Sequence, residues 1–156
     1  MRNTLKSAAA LALALAMPGE AAAEARCQAP DVAALNTAAL QQELMVAGLA
    51  CQAATDYNAF VVAYRPDLIA ADAQVASFFE RQDRRAGMAD YNAFKTRLAN
   101  DSSLKSLADI GGYCADAQAI FASALPREGL SLADLIAALP GTDADVADAC
   151  NAGARS

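Results

Sequence analysis

The sequence contains no histidine and no tryptophan. Without histidine it has neither the usual general base for a serine or cysteine nucleophile nor the commonest metal ligand. It has no G-x-S-x-G, no C-x-x-C and no glycine-rich loop following a strand pattern. Acyl-transfer chemistry, thiol redox exchange and nucleotide cofactors therefore have no local signature, and no catalytic residue and no cofactor is expected. The four cysteines are too far apart, at 27, 51, 114 and 150, for a structural zinc site. No apolar run reaches the length of about 20 residues that a membrane-spanning helix needs. Positive charge is also scarce: 12 basic against 18 acidic residues, a net charge of −6. That balance disfavours nucleic acid and anionic membrane surfaces as partners, leaving proteins, small ligands and cations.

The N-terminus has the pattern of an export signal. Arg2 and Lys6 precede an eleven-residue apolar run, Ser7 to Met17, which Pro18 and Gly19 break before the small residues Ala21, Ala22, Ala23 and Ala25. This is the layout of a secretory signal peptide over 1–25, with cleavage after Ala25 favoured over Ala23. A lipid-modified Cys27 is the competing reading, but Arg26 stands where a small residue belongs. The remaining chain, residues 26–156, is the size of one domain, with a frayed tail over 151–156. Export makes the four cysteines two disulfides and makes the destination periplasmic or extracellular.

The stretch Leu35 to Cys51 is long enough for about four helical turns, and its second half has no charged or polar side chain. Such a helix needs neighbours on nearly every side, so it is expected to be the central post of a bundle. Asp31 or Asn36-Thr37 is expected to cap it. Thr55-Asp56 starts the next helix, with Tyr57, Phe60, Val61 and Tyr64 on one face. Arg65-Pro66 reads as a break or a new start, and the apolar face then continues through Phe78 and Phe79 until Gly87 ends it. A fourth helix over Met88 to Leu98 is expected to stop at Asn100-Asp101-Ser102-Ser103. Leu104, Leu107, Ile110, Cys114, Ala117, Phe121 and Leu125 recur as the face of a fifth, which Gly111-Gly112 loosens or opens to a neighbour. Ser131 to Asp134 resembles a capping box for a short helix to Leu139, and a last turn or two leads to Cys150. Nothing alternates like a strand. The expected fold is all-α, a small bundle of five to six helices with an alanine-rich, thinly filled core stapled by two disulfides.

Three pairings of the four cysteines are possible. Cys51 with Cys114 is favoured because both lie in apolar helical settings, and Cys27 with Cys150 because both lie near the ends of the domain, which are often close in space. The alternative joins Cys27 to Cys51 and Cys114 to Cys150.

One five-residue segment occurs twice: Asp56-Tyr57-Asn58-Ala59-Phe60 and Asp90-Tyr91-Asn92-Ala93-Phe94. The offset matches a tetratricopeptide period, but the copies agree poorly beyond these positions and Pro66 falls where a repeat helix should continue. Tyr57, Asn58, Tyr91 and Asn92 are the candidate ligand-binding residues if the two segments line one cleft. The simpler account puts the aromatics in the core and the polar residues at helix starts. Glu43, just before the most apolar part of the central helix, could act as an acid or base if buried, though a carboxylate hydrolase would need a second carboxylate in reach. Asp143, Asp145 and Asp148 lack the glycine turn and bidentate glutamate of a calcium loop, so no metal site is assigned. Arg81, Arg84, Arg85, Lys95, Arg97 and Lys105 gather the positive charge mid-chain; they form either a solvated face or a dock for an acidic partner.

Residues 36 to 79 contain NTAALQQELMVAGLAC, YNAFVVAYRPDL and the phenylalanines ending at Phe79, with YNAFKTRLAN and GGYC further on. In these pieces the chain resembles a set of small exported alphaproteobacterial proteins of uncharacterised activity. The resemblance implies a helical periplasmic domain in which Cys51 and Cys114 belong to the shared pattern; it implies no activity and no ligand. The function expected from the sequence is a non-enzymatic binding or interaction module, with a carboxylate-dependent cell-envelope hydrolase, or an exported inhibitor or stress factor, as alternatives.

Overall fold

The computed structural model describes residues 27–125, 131–139 and 144–151. The expected signal peptide, the tail from 152 and the residues whose chemistry reads as helix stops (Pro126, Gly129, Pro140 and Gly141) or as a cap (Thr142) lie outside them. Among the described residues there are seven helices and no strand: α1 (Ala29–Ala50), α2 (Ala54–Ala63), α3 (Arg65–Gln82), α4 (Gly87–Ala108), α5 (Ile110–Ala124), α6 (Leu132–Ala137) and α7 (Ala144–Asn151). The count exceeds six because the final segment, expected as a last turn or two, forms a full helix; Arg65-Pro66 does start a new helix, with proline in the first turn of α3.

α1 is the post. Its N-terminal half contributes Ala34, Leu35, Ala38 and Ala39 to one apolar cluster with Val75, Phe78, Phe79, Phe94, Leu98 and Val146. Its C-terminal half contributes Leu40, Leu44, Val46 and Ala47 to a second, with Phe60, Tyr64, Leu68, Tyr113 and Phe121. Enclosure stops short of the helix end: Leu49 is 78% exposed, against the expectation that this whole stretch is surrounded. The start also differs. The helix begins at Ala29, and Asp31 is in its first turn, accepting the Gln28 N–H at 3.1 Å rather than preceding the helix. Thr37 lies inside the helix and donates its hydroxyl to the Ala33 carbonyl. Likewise α2 starts at Ala54, so Thr55-Asp56 occupies its first turn, just after Gln52 at φ 58°.

Two further boundaries depart from expectation. Asn100 to Ser103 does not interrupt α4. Ser103 and Ser106 return their hydroxyls to the carbonyls of Ala99 and Ser103 on the same helix, which satisfies them internally. Ser102 and Ser106 are buried. The break falls at Asp109, whose carboxylate accepts the Gly112 N–H at 3.0 Å and caps α5. Gly112 is small where that carboxylate folds against it. With the break there, Leu104, Leu107 and Ile110 are exposed and do not share the buried face of Tyr113, Ala117 and Phe121. The Ser131 cap forms as expected, accepting the Asp134 N–H at 3.1 Å.

The other boundary is Gly87, which opens α4 instead of ending α3. A Cβ at this position would lie 2.8 Å from the Cα of Glu80 and 2.9 Å from the carbonyl oxygen of Phe79, both backbone atoms that cannot swing aside. The bare glycine lets α4 start directly on the backbone of α3. Gly87→Ala is expected to lower stability by about 1–3 kcal/mol through overpacking, measured by urea unfolding; an unchanged midpoint would refute this close approach.

Two disulfides lock the arrangement, in the pairing favoured from sequence. Cys51–Cys114 ties the end of α1 to α5, and Cys27–Cys150 ties the chain before α1 to α7.

Candidate functional site

The repeated segments occupy α2 and the start of α4. Phe60 and Phe94 are fully buried, in different clusters. Tyr57 packs on the cluster around the C-terminal half of α1, beside Gly48, where a Cβ would stand 3.1 Å from that of Tyr57. Tyr91 packs on the other cluster and donates its hydroxyl to Asp72 at 2.8 Å, while Lys95 bonds the same oxygen at 2.7 Å. Burial and the Asp72 charge and hydrogen bond push the Tyr91 phenol up to about 12. Asn58 and Asn92 are exposed. The structure thus sets the two tyrosines against opposite halves of α1 and does not gather the four residues about one cleft.

Glu43 is half-buried on α1. Its backbone oxygen accepts the Tyr113 hydroxyl at 2.8 Å. Burial first, and then the nearby Glu43 charge, push the Tyr113 phenol up to about 12. Asp145 is a buried residue within 3.9 Å of Arg97, and Asp148 is exposed; Asp143 lies outside the described residues. No group of three potential metal ligands occurs among the described residues.

The basic residues divide. Lys95 is engaged with Asp72, and Arg97 faces Asp145. Arg81, Arg84 and Arg85 come together at the α3–α4 corner, where with Ser77, Glu80 and Met88 they line an open groove of about 780 Å³. The corner is built locally. Asp83 accepts the backbone N–H groups of Arg85 and Ala86 at 2.7 and 3.3 Å, which shapes the turn, and Gly87 then presses α4 onto α3. Arg81 is anchored from below: its Nη2 is 2.6 Å from Oδ1 of Asp31, which is only 2% exposed, while the arginine itself remains half-exposed. Gln74 donates to the same carboxylate at 2.8 Å. Sequence reading found the arginines but missed Asp31 and Gln74 beneath them. The available signal lay within α3, where Gln74, Ser77 and Arg81 are spaced by three and four residues and so share one helical face.

Burial alone would raise the Asp31 pKa. The hydrogen bonds from Gln74, the Gln28 N–H and Arg81, with the Arg81 charge, outweigh it and hold the carboxyl below its ordinary value of 3.8. A depressed folded-state pKa contributes stability above the unfolded value that is lost as pH falls through the folded one. Asp31→Asn is therefore expected to lower stability at pH 7 and to flatten the fall in stability below about pH 4, read from thermal unfolding across pH. Parallel pH profiles for the two proteins would contradict this role.

No helix of the described residues is long and apolar enough to cross a membrane. No family model, no curated protein and no solved structure matches this chain.

Proposed function

We propose that the chain is an exported, non-enzymatic binding module of the periplasm or extracellular space, in which a cross-linked helical scaffold presents a docking groove to a partner. The observation that carries this reading is the cluster of three arginines around an open groove on a chain of net charge −6. Local charge opposite to the whole marks a surface suited to a partner rather than to general solubility. Two long-range disulfides support the compartment, since such bonds persist where the surroundings are oxidising. The resemblance to small exported proteins points the same way.

Expression of the full chain in a Gram-negative host tests the location: the reading expects periplasmic protein whose N-terminus is Arg26, without free thiol. Capture from envelope extract, followed by reconstitution with each purified candidate, tests the binding. Cytoplasmic retention with reduced cysteines, or failure of every candidate to bind once purified, would contradict it.

A further inference from the structure

Resting on the binding-module reading, we infer that the α3–α4 groove recognises an acidic peptide segment of a protein partner, one that alternates carboxylate and aliphatic side chains. Its arginines are not equivalent. Arg81 is held by Asp31, so its position is set and much of its charge is offset. Arg84 and Arg85 make no side-chain ion pair or hydrogen bond among the described residues. Each offers a planar fork of N–H donors that matches a carboxylate. The ends of α3 and α4 meet at this corner with opposite dipoles, which largely offset one another, so the field in the groove comes from the side chains.

Three features narrow the ligand to a peptide. The groove is open and of about 780 Å³, room for an extended segment of several residues rather than one small anion. Met88 is 54% exposed on its wall, a flexible apolar contact for an aliphatic side chain. Glu80 also lines it, and a negative wall group opposes a densely charged phosphate while leaving spaced carboxylates free to reach the arginines. Nucleic acid is disfavoured by the same glutamate and by the net charge of −6. Charge complementarity thus selects the occupant, and Met88 is the reason aliphatic side chains accompany its carboxylates.

The test is fluorescence anisotropy with the oxidised chain and labelled octapeptides. The probes are alternating glutamate and leucine, alternating glutamine and leucine, and glutamate alone, with inorganic phosphate as competitor. The glutamate–leucine peptide is expected to bind about tenfold or more tighter than its glutamine counterpart, and to weaken in high salt. Arg84→Ala with Arg85→Ala, both exposed, should weaken it about tenfold with an unchanged circular dichroism spectrum. Met88→Ser should weaken the glutamate–leucine peptide but not the all-glutamate one. Removing two positive charges elsewhere, by Arg65→Ala with Lys105→Ala, should leave binding within about twofold. Equal binding of the glutamine peptide, insensitivity to the Arg84 and Arg85 changes, equal loss in the Arg65 and Lys105 variant, or full competition by phosphate at peptide-like concentrations would each overturn the assignment. If a reconstituted partner still binds the Arg84 and Arg85 variant, the groove assignment falls while the binding-module reading stands. Loss of all binding to purified candidates removes the reading itself.

Discussion

Replacing Cys51 and Cys114 by serine is expected to cost about 4 kcal/mol of unfolding free energy. The bridge closes a sequence separation of 63 residues, and in the chain-entropy description a loop of that size loses roughly this much freedom in the unfolded chain. A domain of this size has about 5–15 kcal/mol in total, so the variant should lie close to its unfolding threshold at 37 °C. The outer bridge, Cys27–Cys150, spans 123 residues and alone would contribute about 5 kcal/mol. The two contributions do not add. The inner pair lies within the loop of the outer, so each shortens the effective loop that the other closes. Guanidinium unfolding of the wild type, the two single-bridge variants and the variant lacking both measures this. The expected order is wild type, either single-bridge variant, then the cysteine-free chain. A cysteine-free chain as stable as the wild type would refute the view that cross-links offset a thin core.

The core is thin for a visible reason: alanine occupies many of the buried positions, at 34, 38, 39, 47, 53, 117, 124 and 149. Each large side chain therefore carries a large share of the packing. Phe60→Ala and Phe94→Ala are each expected to cost about 3–5 kcal/mol, since both rings are fully buried and their removal leaves cavities that small neighbours cannot fill. The rings have different surroundings. Phe60 contacts Tyr64 at 5.1 Å between centroids, whereas Phe94 contacts Phe79 at 5.5 Å. Because the two belong to separate clusters, their costs should be close to additive. Asn58→Ala and Asn92→Ala, at exposed positions of the same repeated segment, should shift stability by no more than about 0.5 kcal/mol. This contrast assigns the repeat to packing. Urea denaturation of the four variants checks it, and a cost at the asparagines equal to that at the phenylalanines would reject it.

The repeated segment shows how far sequence reading reached. Its helical spacing correctly places Phe60 and Phe94 on buried faces, because a period of 3.6 residues is a property of the local chain. It contains nothing about whether two such faces meet. Tyr57 and Tyr91 lie against opposite halves of α1, which depends on the turns at Gln52 and Asp83 and on the close contact at Gly87. The misplaced break at Asn100 has a similar origin. Serine and asparagine favour helix ends when their side chains compete for backbone groups, but inside α4 Ser103 and Ser106 bond back to carbonyls of the same helix and so tolerate being enclosed. The real break, at Asp109, then turned Leu104, Leu107 and Ile110 outward despite their helical periodicity.

Amino-acid order alone determined the all-helical class, the covalent closure of four cysteines and the likeness of the two repeated segments, since composition, periodicity and side-chain chemistry act over a few residues. Tertiary packing decided which helix faces became interior, which polar groups shared a buried carboxylate, and which basic residues found acidic partners, as Lys95 did with Asp72 and Arg97 with Asp145. Those outcomes depend on distances between segments remote in sequence, 50 residues apart for Asp31 and Arg81 and 70 for Glu43 and Tyr113, and a local pattern carries no term for such distances until the chain has closed on itself.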